Sequence, residues 1–216
     1  MSKYKLYGRS DTGSDIVEYL FHEFVIDYEF IHVDEMSVKT NKNILKNNPL
    51  GRVPMIQLPN GQHMIESMAI IYHLVEENDG LIPESGAPSR ELFHQYMSFL
   101  SSSFYPMLHH LYHSDQYVSE ANESDLKEKS INILNTYLDF IESKLSPYLC
   151  GDEITAADYY FFMLLGWYEE LKSFNHYPKI SEIFKLISKN QTIIAVKNKQ
   201  NERKKEQKIF HSLRTL

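Results

Sequence analysis

Glu66-Ser67 precedes an apolar run with Ile70, Ile71 and Leu74 on one predicted helix face, so Ser67 is read as opening a helix. A helix N-terminus offers free amides and a partial positive charge, and the Ser67 hydroxyl adds a donor. That corner suits a carboxylate, while Glu66 suits an ammonium group beside it. A second group of chemistry-bearing residues is His109, His110 and His113. Their spacing allows two metal ligands one helical turn apart, yet no acidic third ligand stands nearby, and no metal centre is predicted. The single cysteine, Cys150, excludes an intrachain disulfide and a cysteine-based zinc cluster, and it is read as a buried structural thiol.

The elements that must position Ser67 alternate in type. Tyr4–Tyr7 reads as a short strand closed by Gly8. A polar stretch, Arg9–Asp15, leads into Ile16, Val17, Leu20, Phe21 and Phe24 at helical spacing. A second strand is read at Tyr28–Val33 and a polar helix around Lys42–Lys46. Asn48-Pro49-Leu50-Gly51-Arg52-Val53-Pro54 is a turn cluster, and Pro59-Asn60-Gly61 joins two short apolar runs as a hairpin. This order predicts a mixed sheet with helices packed on it.

Residues 79–90 carry Gly80, Pro83, Gly86 and Pro88 and read as an interdomain linker between residues 1–78 and 91–216. Beyond it, strand signals vanish and long helical patterns follow at Leu92–Leu111 and Leu126–Leu145. Thr155-Ala156-Ala157-Asp158 reads as an acidic capping box, with Ile154 and Tyr159 at the staple positions. The helix it opens is apolar on nearly every side and is predicted to be the buried axis of the second domain.

The chain has 216 residues, 43% of them hydrophobic and 24% charged, with a net charge of −7. That balance excludes collagen-like and fully disordered classes and argues against a nucleic-acid partner. No apolar run approaches the roughly 18 residues that span a bilayer, and no signal peptide is read at the N-terminus, so no membrane association and a cytoplasmic setting are predicted. Lys197–Lys208 is basic and is read as a solvated helix or frayed end.

The first-domain order, the turn ending in Val53-Pro54, Glu66-Ser67 at a helix start and Thr155-x-x-Asp158 after Gly151-Asp152 together resemble the glutathione transferase family, in its bacterial, cytosolic form. The resemblance implies an α/β thioredoxin-like domain with a mixed four-stranded sheet, followed by an all-α helical-bundle domain. It implies glutathione as co-substrate, bound by Arg52, Val53, Pro54, Glu66 and Ser67. A cis Val53–Pro54 bond would leave the Val53 N–H and carbonyl unpaired, an edge able to hold a peptide as a short added strand. Lys39 stands near a position that meets the glycyl carboxylate in some members, but it is not carried into the predicted set.

Family members activate the thiol with Tyr, Ser or Cys at or after the first strand. Here the catalytic candidates are Tyr7, Ser10, Thr12 and Ser14, one of which is to donate to the sulfur. Registering from the strand selects Thr12, and registering from the helix selects Ser14, with Gly13 where some members carry cysteine. The resemblance is therefore to a Ser/Thr-type loop. Asp11 departs from the family pattern, because a carboxylate near the sulfur opposes thiolate formation unless it points away.

The second domain is expected to supply a hydrophobic substrate pocket from Tyr105, Leu108, His109 and Tyr112, near Phe104 and Tyr117. The predicted function is conjugation or reduction of small hydrophobic electrophiles by a detoxifying homodimer. The alternatives are a glutathione-dependent isomerase and a non-catalytic stress or partner-binding member of the same fold.

Overall fold

Tyr4–Gly8 (β1) alternates its burial, with Leu6 and Gly8 buried and Tyr7 half-buried, as a strand with unlike faces must. It pairs in parallel with Tyr28–His32 (β2), Tyr4 opposite Tyr28 and Gly8 opposite His32. It pairs antiparallel with Met55–Gln57 (β3), which pairs antiparallel with His63–Ile65 (β4). The order β2-β1-β3-β4 is a mixed four-stranded sheet, as the resemblance implied. In the β3–β4 hairpin, Gly61 has φ 90° and its N–H donates to Leu58 O, the conformation that Asn60-Gly61 signalled. The computed structural model describes residues 3–171 and 173–214, with side chains as far as residue 206 in the last helix.

Between β1 and β2 runs Ser14–Glu23 (α1), which buries every residue from Ser14 to Phe21. Glu35–Thr40 (α2) and Lys42–Asn47 (α3) follow β2. Helix α3 matches the polar helix expected around Lys42–Lys46, while α2 is additional, its N-cap the Asp34 side chain accepting from Ser37 N–H at 2.8 Å. Val33, Val38, Ile44 and Met55 form a small buried cluster here, and Tyr7 packs against it. Ser67–Glu77 (α4) then begins.

The helical part contains Pro88–Phe99 (α5), Tyr105–Tyr112 (α6), Glu123–Lys144 (α7), Ala156–Leu171 (α8) and Pro178–Ser188 (α9). The pattern read as one helix over Leu92–Leu111 is broken by a π turn at Leu100–Phe104, where the Tyr105 N–H reaches back to Leu100 O. Pro106 supplies the reason: it has no N–H, so the regular ladder cannot pass through it. Helix α8 buries Ala156–Leu165 in full, the axial role its all-round apolar sequence predicted.

Asp158 Oδ2 accepts from Thr155 N–H at 2.8 Å and from the Thr155 hydroxyl at 2.9 Å, and Oδ1 accepts from Leu149 N–H at 2.8 Å. The Thr155 hydroxyl thus donates to the carboxylate, while the Asp158 N–H goes to the Thr155 carbonyl at 3.1 Å.

By internal contacts the chain forms two compact units, Met1–Ile71 with Leu186–Leu216, and Tyr72–Lys185. The last helix, Gln191–Arg214 (α10), therefore groups with the sheet and packs on α1. The Lys197–Lys208 stretch falls within α10 and is not a frayed end; the side chain of Lys208 lies outside the described residues. The 79–90 segment is ordered and already contains the first turn of α5. Arg90 Nη1 donates to Pro83 O at 2.7 Å, and Leu81 O accepts from Ala156 N–H at 2.8 Å.

Candidate functional site

The Val53–Pro54 peptide is cis. Asn48, almost fully buried, braces the loop that leads to it: its Nδ2 donates to Arg52 O at 2.5 Å, and its carbonyl accepts from Gly51 N–H at 3.1 Å. Gly51 has φ 60°, and a Cβ there would stand 3.2 Å from Val38 O, so this tight corner requires glycine. Among the described residues, nothing hydrogen-bonds to the Val53 N–H or carbonyl.

Strand register fixes what surrounds Val53. Met55 lies opposite Tyr7 on one side and Ile65 on the other. Continuing each antiparallel pairing outward brings Val53 and Pro54 level with the loop after β1 and with Glu66-Ser67. Gly13, the N-cap of α1, confirms the first approach: a Cβ on it would sit 3.3 Å from Pro54 Cδ and 3.9 Å from the Val53 carbonyl oxygen. At the other corner Glu66 has φ 69°, a left-handed backbone uncommon outside glycine, and its carbonyl accepts from Ile70 N–H at 3.0 Å to cap α4. The Glu66 carboxylate and Ser67 hydroxyl make no hydrogen bond among the described residues; Glu66 is exposed and Ser67 half-buried. Arg52 is exposed on the same loop, and Lys39 pairs with Glu35 at 3.1 Å.

The four hydroxyl candidates do not form one cluster. Thr12 Oγ1 lies 2.7 Å from Arg9 O and 3.0 Å from Ser14 Oγ, and it accepts from Ser14 N–H at 3.2 Å. One proton cannot serve both oxygens, so Thr12 donates to Arg9 O while Ser14 donates to Thr12. Ser14 is fully buried, and a Cβ on Gly8 would come 2.5 Å from its Oγ, so Gly8 is what lets α1 sit this close to β1. Tyr7 projects to the opposite face of the sheet from Gly8, with its ring centroid 6.2 Å from that of His63. Ser10 is half-buried, and its hydroxyl has no hydrogen-bond partner among the described residues. The Gly13 N–H is likewise unbonded among them.

Asp11 adopts φ 61° in this loop. Its N–H donates to Asp15 Oδ2 at 3.2 Å, and its carboxylate pairs with Lys204 Nζ at 2.5 Å. Asp15 is buried, and burial, reinforced by the nearby Asp11 and Glu18 charges, pushes its carboxyl up to about 8. Sequence reasoning missed Asp15, Glu18, Gln200, Arg203 and Lys204, because their pairing spans more than 180 residues of chain.

In the helical unit, Tyr105 stacks edge-on against Trp167 at 5.6 Å, and the Tyr112 hydroxyl donates to Trp167 O at 2.7 Å. His109 Nδ1 lies 2.9 Å from the Tyr117 hydroxyl, and Leu108 is fully buried. Among the described residues no group of three or more His, Cys, Asp or Glu side chains is arranged to hold a metal ion. No helix there is long and apolar enough to cross a membrane.

A mixed β2-β1-β3-β4 sheet with a cis-proline corner, followed by helices, defines a class of protein. The family models for the glutathione S-transferase N-terminal and C-terminal domains match residues 15–81 and 96–191 respectively. The chain belongs to the glutathione transferase family. It is 28% identical over 167 residues to the uncharacterized GST-like protein YncG of Escherichia coli, a match spanning 76% of this chain and 81% of that protein. Among solved structures it is similar to a glutathione transferase from Methylococcus capsulatus, with a TM-score of 0.83 and 27% identity over 92% of this chain and 98% of that one. A Sulfitobacter glutathione transferase homolog with bound glutathione shares its fold, with a TM-score of 0.84 and 24% identity over 92% and 99% of the two chains.

Proposed function

We propose that this chain is a glutathione transferase that presents the glutathione thiolate to small hydrophobic electrophiles. The observation that carries the reading is the unpaired Val53 backbone at the cis-proline corner, level with the Gly13 loop on one side and Glu66-Ser67 on the other. A peptide strand added there takes two backbone hydrogen bonds from Val53. The Ser67 hydroxyl and the α4 amides suit the γ-glutamyl carboxylate, Glu66 suits its ammonium, and Arg52 suits the glycyl carboxylate.

The thiol-activating donor is assigned to Thr12, with the Gly13 N–H beside it. Gly13, next to Thr12, approaches Val53 and Pro54 closely, Ser14 has no exposure, and Tyr7 faces the other side of the sheet. A free thiol titrates near ~8.5, and a hydroxyl plus a helix N-terminus favours its ionised form. Residues 1–78 then form the glutathione-binding domain. Of the helices that follow residues 79–90, those before α10 contribute Tyr105, His109 and Tyr112 to a hydrophobic pocket, while Leu108, fully buried, belongs to the core and not to the pocket wall. The working form is a cytoplasmic homodimer with a detoxifying role.

One observation favours a second reading. The Thr12 hydroxyl is engaged to Arg9 O, as suits a member that binds glutathione and does not turn it over.

Conjugation of glutathione to 1-chloro-2,4-dinitrobenzene tests the assignment. Thr12→Ala is expected to lower kcat/KM about tenfold or more, and Ser10→Ala to stay within about twofold. Turnover unchanged by Thr12→Ala and lost in Ser10→Ala moves the role to Ser10. Absence of turnover in a wild-type chain that binds glutathione supports the non-catalytic reading.

A further inference from the structure

The last helix reaches the site loop through a network that the family's reaction scheme does not require. Gln200, buried in α10, donates from Nε2 to Asp15 Oδ1 at 2.9 Å and to Glu18 Oε2 at 3.1 Å. Arg203 Nη2 meets both oxygens of the fully buried Glu18, at 2.9 and 2.6 Å, and its guanidinium lies 3.8 Å over the Phe30 ring. The Tyr28 hydroxyl donates to the same Glu18 at 2.9 Å. One helical turn from Gln200, Lys204 pairs with Asp11. Asp11 is thus held at both ends, its N–H by the carboxyl that Gln200 holds and its carboxylate by Lys204.

We propose that Lys204 and Gln200 of α10 are positioning residues for the thiol site, fixing the left-handed Asp11 and cancelling its charge so that Thr12 and Gly13 face the bound sulfur. The inference rests on the glutathione reading above. An unpaired carboxylate next to Thr12 would disfavour a thiolate, and a lysine beside it removes most of that field. The Asp11–Lys204 pair is partly exposed, with side chains 56% and 43% accessible, so its worth to global stability is small. Its effect is local and electrostatic.

The test uses the full chain and four variants: Lys204→Ala, Lys204→Arg, Asp11→Asn, and Asp11→Asn combined with Lys204→Ala. The first readout is the pH titration of bound glutathione, followed by the ultraviolet absorbance of its thiolate. Lys204→Ala is expected to raise the bound thiol's pKa by on the order of half a pH unit. Lys204→Arg should restore the wild-type value, and the double variant should match Asp11→Asn alone. The second readout needs no ligand: amide hydrogen exchange over residues 9–15 should quicken in Lys204→Ala and return to the wild-type rate in Lys204→Arg.

Wild-type titration and exchange in Lys204→Ala would overturn the proposal. So would an equal thiol shift from Lys204→Ala in the Asp11→Asn background, because the charge of Asp11 would then play no part. A wild-type chain that binds no glutathione sinks the functional reading by itself. The exchange comparison then decides alone whether α10 positions the loop.

Discussion

Asp15 shows how a single side chain carries the chemistry of its surroundings. Burial is the main reason its carboxyl is pushed up to about 8 from the usual 3.8, the Asp11 and Glu18 charges push the same way, and Lys197 is the cation acting against them. Between those values the folded chain holds a proton that the unfolded chain has released. The contribution to stability is therefore complete below about pH 4 and drains away as the pH climbs through 8. Asp158, pushed up to about 6, acts in the same direction but only to lower pH, whereas His32, held below its usual range mainly by burial, acts in the opposite sense, its contribution being lost as the pH falls below about 6.5. Around pH 7 Asp15 is the largest of these contributions, and above about pH 8 the Cys150 thiol, pushed up to about 12 by burial, adds a loss of the same sign. Denaturant unfolding of the wild type should lose on the order of 1 kcal/mol per pH unit near pH 7. Asp15→Asn, which cannot ionise and keeps one of the two oxygens that accept from the Asp11 N–H and from Gln200, should be nearly flat there. A wild-type profile as flat as that of the variant would show that Asp15 is ionised in the fold. The sequence offers Ser14 or Asp15 as the cap of the helix that follows, whereas the structure has Gly13 there with no side-chain cap, and nothing in the sequence shows the charges around Asp15. Its partners Gln200 and Arg203 lie at the far end of the chain.

At the scale of elements, the start of α8 is the clearest case of sequence setting structure. Thr155-x-x-Asp158 announced a helix N-terminus, and the two residues do bond each other. The sequence could not announce that Asp158 also takes the Leu149 N–H, because that depends on the Tyr148–Gly151 bridge folding back first. Asp158→Ala would leave two buried N–H groups without an acceptor and should cost about 3–5 kcal/mol of unfolding free energy. Thr155→Val keeps both of those bonds and should cost about 1–2 kcal/mol. A denaturation midpoint for Asp158→Ala equal to that of Thr155→Val would contradict this division of labour. Elsewhere the periodicity was legible and the interruptions were not. Leu92–Leu111 kept helical spacing across a π turn because Pro106 removes one N–H without disturbing the apolar pattern. Helix α2 was illegible for the opposite reason: over Glu35–Thr40 only Val38 is buried, so there is almost no apolar stripe to read.

For the molecule as a whole, the alternation of strands and helices was readable from local patterns, while the four-stranded sheet and the cis bond at Val53–Pro54 came only through the family resemblance, since β1 pairs with a strand that begins only at Met55. The grouping of α10 with the sheet was not readable. A run of charges on a mostly polar helix looks solvated until Glu18 and Asp11 are known to face it. The net charge of −7 conceals this, since Arg203 and Lys204 are spent on acids of α1 and the loop before it. The candidate site was legible where one turn or one helix start suffices, as at Val53-Pro54 and Glu66-Ser67. It was ambiguous at the hydroxyl proposed to activate the thiol, where choosing among Tyr7, Ser10, Thr12 and Ser14 requires knowing which face of β1 and which side of α1 each occupies. If the Val53 edge and the Ser67 corner together bind glutathione, titration calorimetry with glutathione will detect it most directly. One molecule is expected to bind per chain with a submillimolar Kd, weakened about tenfold by Ser67→Ala through loss of a hydrogen bond to a charged group. No heat of binding at millimolar glutathione, or an affinity indifferent to Ser67→Ala, would contradict binding at this site.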